Sequence, residues 1–127
     1  MKKLAVIGRI LFALPFAIMG LNHFLMSDIF IEQIKTSFIP YNAFTIIITG
    51  ILLIIGSVSI LMNKFIKVAC FWLAGLLLLF IITIHVPGLF NANWELALIQ
   101  LLKDTGLMGG AIMIAVYFDT KIDEDAN

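Results

Sequence analysis

Charge is what this sequence has least of. Lysine, arginine, aspartate and glutamate make up 13% of the 127 residues and cancel to a formal net charge of zero, where soluble domains carry about a quarter of their residues charged. No basic stretch offers itself to a phosphate backbone, which excludes nucleic acid as a partner. The one cysteine, Cys70, leaves neither an internal disulfide nor a C-x-x-C redox pair. Zinc-ligand spacing, a phosphate loop, a nucleophile elbow and a paired-acid motif are all missing, which removes the common soluble enzyme classes. What is present is apolar: 62% of the chain is hydrophobic and the mean hydropathy is +1.12. So short a chain leaves much of its surface exposed and cannot hide this excess in a water-facing fold. The expectation is a single integral membrane domain, residues 1–127, whose first partner is the lipid bilayer.

Charges mark where the chain leaves the bilayer. Uncharged runs cover Ile10 to Ser27, Thr36 to Asn63, Val68 to Trp94 and Thr105 to Phe118. A hydrocarbon core about 30 Å thick needs about 20 helical residues. Three runs suffice alone; the fourth does so only if Lys103 and Asp104 are drawn into the membrane. The reading is all-α: a four-transmembrane-helix bundle with helices over about 4–25, 43–62, 68–86 and 96–118. Met1-Lys2-Lys3 before an apolar run imitates a signal peptide, but Arg9 interrupts the run and no small-x-small site closes it, so an uncleaved first helix is expected.

After the first span, Ser27 is placed to cap a short amphipathic interfacial helix. Phe30, Ile31, Ile34 and Phe38 fall on one face, Asp28, Glu32 and Lys35 on the other, and Pro40 ends it. Lysine asymmetry sets the orientation. Lys2, Lys3, Lys64, Lys67 and Lys121 share one side and Lys35 stands on the other, which places the N-terminus and C-terminus in the cytoplasm. Tyr41 and Trp94 then fall near the outer interface, Trp72 and Tyr117 near the inner one.

Polar residues within the spans are the functional signal, since each costs at least about 2.5–3.5 kcal/mol at the bilayer centre. On a rise of about 1.5 Å per residue, His23, His85, Gln100, Lys103 and Asp104 all fall roughly 21–28 Å from the inner edge. They form one layer in the outer third, bordered by Asn22 and Glu95. Asp104 is too short to snorkel and is expected to face inward and find a donor among His23, His85 and Lys103. Adjacent residues diverge by about 100°, so Lys103 and Asp104 are not an obvious mutual pair, one facing inward and the other sideways.

Arg9 lies deeper, with Ser57, Ser59 and Asp119 as expected partners. The face from Arg9 through Ala13, Phe16 and Gly20 to His23 is expected to point inward. Gly106-x-x-x-Gly110, extended by Ala111 and Ala115, suits close packing within the bundle or a homo-oligomer face. The ordinary reading of the same residues is wetting of the histidines at the interface, snorkelling of Lys103 and plain structural hydrogen bonding by Asp104. Haem between His23 and His85 has no spacing signature to support it, and no metal site is expected.

Three pieces in order resemble the DoxX-like (DoxX/DoxD) family of small four-helix bacterial membrane proteins. They are Arg9 in the first helix; Gly20-Leu21-Asn22-His23-Phe24-Leu25 followed by Asp28, Phe30 and Pro40; and Lys103-Asp104-Thr105-Gly106-Leu107-Met108-Gly109-Gly110-Ala111. The resemblance covers nearly the whole chain. It departs at Gly50-Ile51-Leu52-Leu53, where many members carry glutamate in place of the final leucine.

The resemblance implies a bacterial inner-membrane protein in a redox setting, a partner of redox-enzyme subunits more than a self-sufficient enzyme. It carries the expectation of a quinone or small-ligand pocket lined by His23, His85, Gln100, Lys103 and Asp104, with Arg9 and Asn22 structural. A non-catalytic assembly factor or chaperone is the alternative. A small-solute transporter comes third, because Pro15 is the only proline inside an expected core.

Overall fold

The structure, a computed structural model, describes residues 2–35 and 42–126. Helix α1 spans Lys2–Leu25, α2 Ser27–Ile34, α3 Ala43–Leu61 and α4 Ile66–Phe80. A π-helical turn over Ile81–His85 continues α4 into the short α5, Val86–Gly88, and α6 runs from Trp94 to Ala126. No strand occurs among the described residues. Four stretches are long and apolar enough to cross a membrane: Lys3–Leu25, Ala43–Leu61, Ile66–Gly88 and Trp94–Phe118. The protein is an all-α, four-helix, multi-pass membrane protein. Its outside is apolar, with Leu11, Leu21, Ile55, Val68, Leu102 and Met113 all exposed, as lipid contact requires and water would not allow.

Local chemistry sets both ends of α3. Asn42 caps α3 by accepting the Thr45 backbone N–H at 2.9 Å. At its other end α3 closes in a Schellman motif: Asn63 takes the left-handed conformation (φ 58°), its N–H reaches the Ile60 carbonyl, and the Lys64 N–H reaches the Ser59 carbonyl. Ser27, expected to cap α2, is instead its first helical residue. Met26 occupies the cap position and supplies no side-chain bond. The reason is continuity: the Met26 N–H still bonds the Asn22 carbonyl at 2.8 Å, so α2 leaves α1 through one bent residue rather than starting afresh. Phe38, Pro40 and Tyr41 lie outside the described residues.

The expected third span ends differently from a plain helix. Pro87 has no N–H and its ring crowds the carbonyl four residues back, so the preceding turn widens. The Val86 N–H accordingly reaches the Ile81 carbonyl, five residues away.

α1 packs mainly on α3 and α4 mainly on α6, each pair antiparallel, with α3 against α4 joining the pairs. Both chain ends therefore lie at one end of the bundle (the terminal end), and α2 with residues 89–93 at the other (the loop end). The inward face read from Arg9 to His23 holds: Ala13 is 0%, Phe16 2% and His23 6% exposed. Its partners at the terminal end are Ile60, Cys70, Leu73, Ala111 and Ala115, all sealed from solvent. Ser57 is buried there and donates to the Ala13 carbonyl at 2.9 Å.

Glycines allow the closest approach of α1 and α3. A Cβ at Gly20 would lie 2.6 Å from Ile54 and 2.9 Å from the Gly50 carbonyl, and one at Gly50 would lie 2.9 Å from His23 Cβ. Of the two glycines read as packing residues, Gly110 does meet a neighbour, the Phe12 ring at 3.1 Å, whereas Gly106 faces open space. Four residues advance slightly past a full turn, and a four-residue spacing alone does not say which side of α6 the neighbours occupy.

Candidate functional site

The two helix pairs touch through small residues at the terminal end and leave a chamber of about 120 Å³ toward the loop end. Its floor is apolar, formed by Phe16, Leu53, Leu77, Phe80 and Leu107. Its upper wall carries His23, His85, Gln100, Lys103 and Asp104, with Thr45 and Thr49 across from them on α3. Phe30 and Ile34 line it on the α2 side. Four of the five polar wall residues come from the π-turn after α4 and the near end of α6; the fifth, His23, comes from α1. An apolar cavity with a few convergent polar groups is the usual form of a small-molecule site.

Asp104 organises the polar wall. It is 4% exposed, and its Oδ2 is 2.8 Å from His85 Nε2. Its Oδ1 is 3.2 Å from Lys103 Nζ. The carboxylate thus faces inward with both oxygens engaged. His85 and Lys103 are two of the three donors expected for Asp104; although adjacent residues diverge around the helix, the lysine stem is long enough to fold back over the turn, while 39% of the side chain stays exposed.

The π-turn takes part in this geometry. One extra residue in a turn rotates everything beyond it by roughly 100°, and His85 is its last residue.

His23 is held from three directions. Its Nδ1 is 2.7 Å from the Met19 carbonyl. Its ring stacks on Phe30, with centroids 4.1 Å apart and planes inclined by 17°. Gly50 leaves room under its Cβ. His23 and His85 take separate protein partners, the Met19 carbonyl and Asp104. No group of three or more metal-ligating side chains occurs among the described residues.

A second cleft, of about 370 Å³, opens at the loop end between Glu32, Gly88, Asn91, Asn93, Leu96 and Ala97. Ile84, His85 and Gln100 border both spaces, so the polar wall of the chamber is also the inner wall of this cleft.

Other residues singled out in the sequence stand apart. Asn22 is half-buried and borders neither cavity. Arg9 is half-buried with its Nε shut off from solvent and unpaired among the described residues. Ser57, expected to serve it, bonds Ala13 instead, because a hydroxyl packed against α1 meets that carbonyl first. The Asp119 side chain lies outside the described residues.

Sequence reasoning missed Thr45, Thr49, the stack of Phe30 on His23 and the chamber role of Leu53. The two threonines had a faint signal, a four-residue spacing that puts them on one face of α3. Leu53, where the sequence departs from the DoxX-like pattern, lines the apolar floor at 1% exposure.

Compared with protein-family models, with curated proteins and with solved structures, the chain finds no match in any of the three.

Proposed function

We propose that this protein is a redox-associated accessory membrane subunit of the DoxX-like type, whose chamber holds a quinone head group or a similarly small ring. The observation that carries the reading is the chamber itself: an apolar floor wide enough for a ring, under a wall where His23, His85, Gln100, Lys103 and Asp104 converge. Carbonyl or hydroxyl oxygens on a ring would meet that wall while the ring carbons rest on Phe16, Leu53 and Phe80. Asp104, paired with His85 and Lys103, is close to charge-balanced, which suits a neutral ligand better than an ion. The setting would be a bacterial inner membrane with both termini cytoplasmic, and redox-enzyme subunits as partners.

The direct test is solvent extraction and mass analysis of protein purified in mild detergent. The expected result is a ring compound retained by the wild type and lost in Asp104→Leu. Absence of any bound ring from protein carrying an intact fold would overturn the reading. Orientation is tested separately by Lys64→Cys and Asn93→Cys in a Cys70→Ala background. Position 93 is expected to label with a membrane-impermeant reagent from outside and position 64 only after permeabilisation; the reverse pattern would invert the topology.

A second reading has one observation of its own. Both Asp104 oxygens are satisfied within the protein, so the same cluster would serve as a clamp fixing α4 against α6 in an assembly factor or chaperone. A partner subunit retained in purification with no ring compound would favour it.

A further inference from the structure

The polar wall of the chamber is not uniformly satisfied, and what it lacks defines the ligand. The Met19 carbonyl can only accept, so the His23 Nδ1 that meets it at 2.7 Å carries the ring's hydrogen. The neutral ring then presents a bare lone pair at Nε2. His23 is 6% exposed and borders the chamber, and no residue among those described donates to its Nε2. The Phe30 stack and the Nδ1 contact to Met19 hold the ring plane, which fixes the direction of the lone pair. The other strong acceptor, Asp104, already receives His85 on one oxygen and Lys103 on the other. An acceptor that borders the chamber with no donor from the protein favours a ligand that brings one, since a neutral ring lacking a donor would leave that lone pair without a hydrogen bond.

We propose that the chamber selects a single-ring ligand that donates an O–H or N–H to His23 Nε2, and so prefers a hydroxylated ring of the phenol or hydroquinone class over its carbonyl-only or O-alkylated counterpart. This rests on the reading that the chamber holds a ligand, and sharpens it. Size agrees: an apolar cavity of about 150 Å³ accommodates benzene, and about 120 Å³ here leaves room for one six-membered ring in tight contact. A quinone carbonyl turned to His23 would set lone pair against lone pair, whereas the hydroxyl of the reduced ring makes a hydrogen bond at the same place. Gln100, with both donors and acceptors on its amide, can serve the opposite side of either form.

The test compares phenol with anisole, which keeps the ring and the oxygen and removes the donor, together with toluene as an isostere lacking the oxygen. Each is titrated into the wild type and His23→Phe in detergent, with binding corrected for micelle partition and the His23 ring nitrogens followed by ¹⁵N NMR. Phenol is expected to bind the wild type about tenfold more tightly than anisole or toluene, the size of one buried hydrogen bond. The Nε2 resonance should move with phenol alone, and the preference should shrink to within about twofold in His23→Phe, which keeps an aromatic ring against Phe30.

Equal affinity of wild type for phenol and anisole overturns the proposal while leaving a ligand chamber in place, and it needs no variant to fold. A preference unchanged in a folded His23→Phe overturns it as well. Failure of all three rings to bind removes the chamber reading and this inference together.

Discussion

The two ends of the bundle solve the same packing problem in opposite ways. At the terminal end, Ala13, Ala111 and Ala115 let the four long helices close on Ile60, Cys70 and Leu73, all sealed from solvent. Ser57, sealed there, is satisfied by a backbone carbonyl, while the Arg9 Nε is shut off from solvent with no partner among the described residues. At the loop end the helices carry histidine, lysine, aspartate and glutamine, a π-turn breaks the regular ladder, and a chamber remains. Helices in lipid gain little from hiding apolar surface from one another, since lipid is equally apolar. Tight contact therefore needs small residues, and polar residues need partners. Where the first condition holds the bundle is solid; where the second governs, geometry follows hydrogen bonds and leaves space.

The sharpest way to break this contrast is to fill the α1–α3 contact beneath the chamber. Gly50→Leu pushes a side chain into His23 Cβ, the Gly20 carbonyl and Phe24, all within 3.0 Å of a first added carbon. It is expected to cost at least about 3 kcal/mol, the upper end for overpacking, and to displace His23. Unfolding in detergent against denaturant reads the loss, and a wild-type midpoint would show that the two helices part freely.

A smaller effect is expected from the polar wall. Asp104→Leu leaves the donors of His85 and Lys103 without their shared acceptor and should cost about 1–3 kcal/mol, with Asp104→Asn retaining part of it. The same unfolding measurement, with both variants side by side, checks the order. Asn no better than Leu would mean that the carboxylate geometry does not organise the site.

At the solid end, Ser57→Ala removes one buried hydrogen bond and fills no space. The expected loss is about 0.6 kcal/mol, the average for interhelical bonds in membranes. A loss as large as that of Asp104→Leu would contradict the view that the terminal end depends on shape rather than on polar contacts.

Gly106→Ala marks the bottom of the scale. Nothing stands within 4 Å of the added carbon, and alanine favours the helix over glycine by up to about 1 kcal/mol. The stability should be unchanged or slightly raised. A clear loss, or a change of oligomeric state by light scattering, would reveal a partner seated on this face of α6.

The sequence by itself determined the class, the spans and the layer. Apolar runs of bilayer length leave the backbone no alternative to helices, because a lipid-exposed peptide group must be bonded within its own segment. Asp104 could be placed inward because a short acid cannot reach water from that depth. The face from Arg9 to His23 followed from helical periodicity.

Only the tertiary structure decided which donors Asp104 would take, since the candidates lie on different helices and their meeting depends on how far each helix is rotated. The π-turn before Pro87 is part of that rotation, and its exact register depends on what α4 packs against. Gly20 and Gly50 were visible as glycines, but a small residue matters only where a neighbour comes close, and distance between helices is not written in either one alone. The same holds for the Phe30 stack on His23 and for Leu53 in the chamber floor: each is an ordinary apolar residue until the fold sets it beside a polar one.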